Sequence, residues 1–295
     1  MEIMKSYSAL DEIPLGDIRK LEQICQQNDG LKSSLFLDLG MNVSPYLKSL
    51  YVLYQDAQLV SVLILFVPTL MQAEVSAYTH PQFRRRGYFK RLLTAAVEEL
   101  RRFNISNLLF LCEPSSLPGK SAIASLYAHY AFTEYFLKLD LRGQTAGADP
   151  YPEAAANPPL ELWEAEREDL PAIAGLSQEI FHKDYSISLV FANKAFASAN
   201  RIQYLAWLGN EPVGSLTITL EAASAYISGF GIREKFRRRG YGSAVLSMLI
   251  SDLRTKGIEE VGLEVDSTNT NAFNLYKKCG FKMASATEYY RKPIS

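Results

Sequence analysis

Two hydrophobic periods alternate along this chain, in the same order in each half. Runs with apolar residues at every second position read as strands; runs with apolar residues three and four apart read as helices. In the second half, Glu161–Glu166 reads as a short strand. Asp169 has the position of an N-cap, with Pro171 in the first turn, for a helix to about Phe181. A second helical stretch covers Ser188–Ala199. Ile202–Leu208 and Val213–Leu220 form a hairpin about the turn dipeptide Gly209-Asn210, and Tyr226–Ile232 adds a third strand. A helix from Gly240 to about Lys256 carries Val245, Met248, Leu249 and Leu253 on one face. Val261–Val265 is a strand, Thr270–Lys278 a helix stopped by Gly280, and Phe281–Arg291 a last strand. The first half follows suit: a hairpin over 48–67, a strand over 73–79, a helix over 87–103, a strand over 107–112, a helix over 120–130 and a strand over 132–141.

The repetition extends to residue identity. Phe-Arg-Arg-Arg-Gly-Tyr stands at 83–88 and again at 236–241, 153 positions on, each time between a strand and an amphipathic helix. An internal repeat of this size predicts an α/β protein made of two copies of one unit. The stretch Gly143–Pro159 is rich in Gly, Pro and Ala and poor in large apolar side chains, so it reads as a linker. The expected division is a first domain 1–142, a linker 143–159 and a second domain 160–295.

Composition narrows the function. With 31 basic and 32 acidic residues the net charge is −1, which gives no global attraction for nucleic acid or an anionic membrane. The apolar run Leu59–Val67 is too short to span a bilayer and reads as a buried strand. Cys25, Cys112 and Cys279 lack metal-ligand spacing and read as reduced thiols of a cytoplasmic protein, and no signal-peptide core opens the chain. His80, His129 and His182 are scattered, and no metal site is expected. What remains is the repeated turn. A basic, glycine-bearing turn that opens a helix can hold a phosphorylated ligand, because the helix N-terminus offers free N–H groups and a positive dipole end. Glycine lets the backbone come close to a pyrophosphate.

The run from Ile232 to Gly242, IREKFRRRGYG, resembles the acetyl-CoA-binding motif of the GNAT superfamily of N-acyltransferases: Gln or Arg, two residues, Gly, one residue, then Gly or Ala. Arg237, Gly240 and Gly242 fill it. The run from Leu263 to Phe281, LEVDSTNTNAFNLYKKCGF, is similar to the strand-plus-helix motif of the same superfamily. The resemblance covers 160–292 well and 1–142 as a weaker second copy. It implies two tandem GNAT-like domains, each a mixed, mostly antiparallel sheet flanked by helices. It also implies acetyl-CoA as cofactor and a small-molecule or peptide amine as acceptor. Arg238, Arg239, Tyr241 and Ser243 complete the stretch expected to meet the cofactor. The resemblance further assigns the N–H of Ile232 to the carbonyl oxygen of the thioester, Tyr276 to protonation of the leaving thiolate, and Asn269 to the cofactor's amide chain. Glu264, twelve residues before Tyr276, has the place of the general base in the ribosomal-protein N-terminal acetyltransferases that this motif looks like. Asp266 and Glu221 stand as alternatives for that base, and Tyr226, Tyr289 and Tyr290 as candidates to line the acceptor pocket.

The first copy departs from the motif. Arg84 and Gly87 are present, but Phe89 takes the second glycine position; Glu113 and Tyr127 are matched to the second copy's strand and helix, the latter by Ser-Leu-Tyr against Asn-Leu-Tyr. Each copy also shows one strand after its final helix where the superfamily usually has two, which predicts that the halves complete each other's sheets. Two rival readings remain at this stage. One is a non-catalytic acyl-CoA-binding module. The other, a nucleic-acid binder using the two arginine runs, conflicts with the net charge. Oligomeric state is not legible.

Overall fold

The computed structural model describes residues 1–8, 14–142 and 159–294, so the expected linker over 143–158 lies outside the described residues. By contacts the chain divides into two units. One is Met1–Glu134 with Ser285–Ser295, and the other is Tyr135–Ala284. The division therefore falls near 134 and 284, and each unit contains a strand segment drawn from the other half of the sequence.

In the first unit, β1 (Glu2–Tyr7), β2 (Leu50–Gln55), β3 (Gln58–Thr69), β4 (Gln72–Thr79) and β5 (Asn107–Cys112) lie in that order. The first four strands pair antiparallel, and β4 and β5 pair parallel. The helices are α1 (Leu15–Asp29), α2 (Tyr88–Arg102) and α3 (Leu117–Ser125). The continuous apolar run in β3 is explained by helices on both faces: Val62 and Ile64 pack with Ile18 and Leu21 of α1, while Leu63 and Leu65 pack with Leu92 and Leu100 of α2. A strand buried on one face alone would have alternated. Beyond β5 the sheet continues antiparallel with the C-terminal strand, Glu288 opposite Cys112 and Pro293 opposite Asn107.

The second unit begins within β6 (His129–Asp140) and holds β7 (Leu160–Glu164), α4 (Leu170–Phe181), α5 (Tyr185–Ala197), β8 (Arg201–Leu208), β9 (Glu211–Glu221), β10 (Ser224–Ile232), α6 (Tyr241–Thr255), β11 (Glu260–Asp266) and α7 (Thr270–Lys278), ending where β12 (Lys282–Pro293) starts. Its strand order is β6-β11-β10-β9-β8-β7. The apolar face of α6, with Val245, Leu249 and Leu253, meets Leu216, Ile218, Ile227 and Leu263 on one side of the sheet. On the other side Leu205 packs beneath Ile173, Leu176 and Ile180 of α4. Asp169 is not a side-chain cap for α4. Its carboxylate accepts from the N–H of Glu166 in a capping box that begins the preceding turn.

The two copies superpose in sequence at a constant offset of 153. The turns before α2 and α6 share their backbone, with φ of 63° and 61° at Arg85 and Arg238 and of 80° and 83° at Gly87 and Gly240. Helices α3 and α7 keep the same offset, and Tyr127 (φ 56°) ends the first where Gly280 (φ 86°) ends the second. This corrects two readings. The helix expected over 120–130 stops at Ser125, because the chain turns left-handed at Tyr127. The counterpart of Tyr276 is Ile123, not Tyr127, which is 82% exposed.

Candidate active site

The site of the second unit is built where β10 and β11 part. They pair in parallel from Ser224 opposite Glu260 to Ile227 opposite Leu263, and there the pairing ends, although β10 runs on to Ile232 and β11 to Asp266. The break is encoded locally. The sequence Ser228-Gly-Phe-Gly231 puts Gly229 at φ 60°, and the ladder to β9 shifts register between Ser228 and Gly231. Gly231 also leaves room for α4: a Cβ there would sit 2.5 Å from Ile180 and 2.8 Å from Phe181.

The orientation of Ile232 follows from the ladder. The Arg233 N–H donates to the Val213 carbonyl at 2.8 Å, so 233 and 213 form a hydrogen-bonded pair. In an antiparallel ladder the next pair, Ile232 with Gly214, points its N–H and C=O groups outward. The Ile232 N–H therefore faces the gap toward β11. Its carbonyl accepts from Arg237 Nε at 2.8 Å. Arg237 thus ties the turn to the end of β10, and its side chain remains exposed. The same bond joins Arg84 Nε to the Thr79 carbonyl at 3.0 Å in the first unit.

At the turn itself, Gly240 is the N-cap of α6 and no side chain caps that helix, so the N–H groups of Tyr241, Gly242 and Ser243 open the first turn without a capping acceptor. Arg238 and Arg239 are exposed and have no carboxylate partner among the described residues; Arg239 stands 6.0 Å from the Phe236 ring. Arg233 and Lys235, by contrast, are paired with Glu179 and Glu211. Gly242 has a packing reason of its own: a Cβ would approach Leu275 of α7 to 3.1 Å. The residues present fit a pyrophosphate: free N–H groups, a dipole end, and two unpaired guanidinium groups.

Tyr276 and Glu264 differ in environment. Tyr276 is 7% exposed and packs against Phe230 and Phe281. Burial, with a smaller contribution from Cys279, pushes its hydroxyl pKa up to about 12. That hydroxyl makes no hydrogen bond among the described residues, whereas those of Tyr204, Tyr226, Tyr289 and Tyr290 all bond carboxylates. Glu264 points to the opposite face of β11 from Leu263 and Val265, accepting from the Tyr226 hydroxyl at 2.8 Å. It is open to solvent by surface area, yet protein atoms crowd around it; that crowding raises its carboxyl pKa, and the Tyr226 bond opposes the shift. Asn269 caps α7, accepting from the Ala272 N–H at 3.1 Å, which leaves its amide NH₂ for a ligand.

Of the alternative bases, Glu221 separates on geometry. Glu221 lies opposite Ser224, at the far end of β10 from Ile232, roughly 26 Å along the strand at 3.3 Å per residue. Asp266 spends one oxygen on the Thr268 N–H and hydroxyl, both at 2.7 Å. Tyr289 and Tyr290 belong to the first unit, where Tyr289 bonds Glu134 and stacks on Phe132, and Tyr290 bonds Glu288. Phe181 and the Tyr226–Glu264 bond were not legible in the sequence, since neither has a spacing signal.

The first unit keeps the turn but has other residues at the two candidate proton-transfer positions. Offset by 153, Leu111 stands for Glu264 and Ile123 for Tyr276. Arg84 donates from both terminal nitrogens to the Asp29 carboxylate. Phe89 packs against the first unit's own core. Glu113 accepts from the N–H groups of Lys32 and Ser33 at 2.8 and 2.6 Å.

A parted parallel strand pair above an uncapped, glycine-opened helix gives an α/β fold with a place for a phosphorylated ligand. The profile of the Acetyltransferase (GNAT) family matches residues 161–281. The [ribosomal protein bS18]-alanine N-acetyltransferase of Salmonella typhimurium is 28% identical over 123 residues, 41% of this chain and 80% of that one. A GCN5-related N-acetyltransferase from Sphaerobacter thermophilus has the same fold, with a TM-score of 0.77 at 20% identity, over 99% of this chain and 96% of that one. A tandem GNAT protein from the clavulanic acid biosynthesis pathway gives 0.73 at 17% identity, over 100% and 99%. Over 161–281 the second half matches the GNAT acetyltransferases, and the whole chain has the fold of a tandem GNAT protein. The family match implies the use of acetyl-CoA. No helix among the described residues is long and apolar enough to cross a membrane.

Proposed function

We propose that the second unit transfers the acetyl group of acetyl-CoA to the α-amino group of a polypeptide, by direct attack within a ternary complex. The observation that carries this reading is the gap between β10 and β11, with the Ile232 N–H facing into it. The bS18-alanine N-acetyltransferase it resembles supports the choice of acceptor.

Acetyl-CoA supplies an activated acetyl group. The N–H groups of residues 241–243 with Arg238 and Arg239 hold its phosphates, and the Asn269 amide meets the chain that follows. Three residues then divide the chemistry. Glu264 takes a proton from the attacking amine, directly or through water, and its raised pKa brings it closer to the basicity this requires. The Ile232 N–H meets the oxygen that gains charge as the carbon–nitrogen bond forms, a contribution of about 10²–10³ in rate for a well-placed donor. Tyr276 gives its proton to the sulfur as the carbon–sulfur bond breaks. Its elevated pKa keeps it protonated and ready at any working pH. In the first unit, with Leu111 and Ile123 at the two proton-transfer positions, the fold serves without this reaction.

The test is an assay of free thiol release from acetyl-CoA with a panel of peptides and small amines, repeated with Tyr276→Phe. Peptide-dependent release is expected, with turnover lowered about 10²–10⁴-fold in the variant and cofactor affinity little changed. Thiol release that depends only on non-peptide amines would reject the acceptor, and parental turnover in the variant would return Tyr276 to a packing role.

A further inference from the structure

We propose that the second unit has a second binding site, a cavity at the outer edge of its sheet that holds a lysine or arginine side chain of the acceptor polypeptide. The proposal rests on the polypeptide reading of the acceptor given above. The cavity, about 310 Å³, is lined by Trp163, Trp207, Glu161, Glu166 and Asp169, with Glu164 at its border, whose carboxylate is taken by Lys256 and Tyr204.

Its place in the fold relates it to the catalytic gap. Gly231 lies opposite Ser215, Ser215 opposite Leu205, and Leu205 opposite Trp163. Directly opposed residues point to one face. Trp163 is therefore on the same face and in the same cross-strand row as Gly231, three strands away, or about 14 Å at 4.8 Å per strand. Helix α4 joins the two places. Asp169 at its start borders the cavity, and Phe181 at its end covers Gly231.

The chemistry of the cavity selects a cation. Trp163 is 59% exposed, on the outermost strand of the unit's sheet among the described residues, where a core aromatic has no reason to be. Its indole N–H donates to Glu161 at 3.1 Å, which sets the ring edge against the carboxylate. No basic residue among the described residues lines the cavity. Nearby Arg167 is turned to Asn193, and Lys256 reaches only Glu164, Tyr204 and Asp252. Glu161, Glu166 and Asp169 thus have no cationic partner among the described residues; the last two meet backbone N–H groups in their capping box. An anion is repelled here, and a purely apolar group leaves the carboxylates unanswered. An ammonium or guanidinium group on a hydrocarbon stem satisfies both the indole faces and the carboxylates. An extended chain covers about 14 Å in four to five residues at 3.3–3.6 Å each. The cavity then reads a basic residue at about position five or six of an acceptor whose first residue is in the gap.

The experiment uses the full chain and two decapeptides that differ only in arginine or glutamine at positions five and six, each made with a free and with an acetylated N-terminus. Binding of the blocked pair is measured by calorimetry and turnover of the free pair by thiol release, for the parent, Trp163→Ala and Glu161→Gln. Expected is about tenfold tighter binding of the blocked arginine peptide, lost in both variants and in high salt, with KM for the free peptide rising in the variants while kcat holds. Equal binding of the arginine and glutamine peptides overturns the proposal. So does a Trp163-dependent dimer in sedimentation, which assigns this edge to a second copy of the chain. If the blocked arginine peptide binds as expected but neither free peptide is acetylated, the site stands and the acceptor reading fails.

Discussion

At the scale of single residues, the second unit separates by environment the two groups proposed for proton transfer. Tyr276 is dry, unbonded and raised in pKa by burial, whereas Glu264 is wet, bonded to Tyr226 and raised by crowding. The shift at Glu264 has two consequences with opposite signs. Its folded pKa lies above the ordinary 4.5, so the native state holds the proton more tightly than the unfolded chain does. Stability then falls as pH rises through the window between those values. Activity that needs the carboxylate rises through the same window. Glu264→Gln is therefore expected to melt at a higher temperature than the parent at pH 7 while losing turnover, and to lose the acidic limb of the pH–rate profile. Parallel melts and pH–rate profiles check this; an unchanged acidic limb would move the base elsewhere.

At the scale of elements, the turn before α6 combines a left-handed Arg238, a left-handed Gly240 and a strut from Arg237 to the Ile232 carbonyl. The same turn stands before α2, with Arg84 in the strut and Gly87 at the helix start. A side chain at either glycine meets the left-handed penalty of about 1–2 kcal/mol. Gly240→Ala and Gly87→Ala should therefore cost similar stability in denaturant unfolding. Only Gly240→Ala should weaken coenzyme A binding by calorimetry together with turnover, since the proposed reaction uses that turn alone. Equal loss of activity in both variants would place the reaction in both units.

At the scale of the whole molecule, each unit uses chain from the other half. Residues 285–293 form the strand beside β5, with Tyr289 buried there, and β6 from Tyr135 on joins the second unit beside β11. A cut in the stretch 143–159 leaves the second half without β6 and the first without its C-terminal strand. The fragment 158–295 is expected to be aggregation-prone and inactive alone, an outcome read by solubility, melting and thiol release. A soluble fragment with parental activity would show that the exchanged strands are dispensable.

The sequence by itself determined the elements, the duplication and the family. These are local properties: apolar periods set strands and helices, glycines set the turn, and the two motifs lie within continuous stretches of chain. It also placed Ile232, Gly240, Asn269 and Tyr276 on the elements where they are found. Residues 1–47 were left without elements, although β1 and α1 lie there. The tertiary structure alone decided the rest, because those questions turn on what comes close from elsewhere. It set Tyr276 against Ile123 and not Tyr127, through a helix end that Ser-Leu-Tyr disguises. Among the carboxylates, it set Glu221 at the far end of β10 from Ile232, while Glu264 and Asp266 each engage one oxygen within the unit. It gave Arg237 a bond to the end of β10, and it gave Tyr289 and Tyr290 to the first unit. Strand pairing assembled the row from Gly231 to Trp163 out of four strands, a neighbourhood that no spacing in the sequence records.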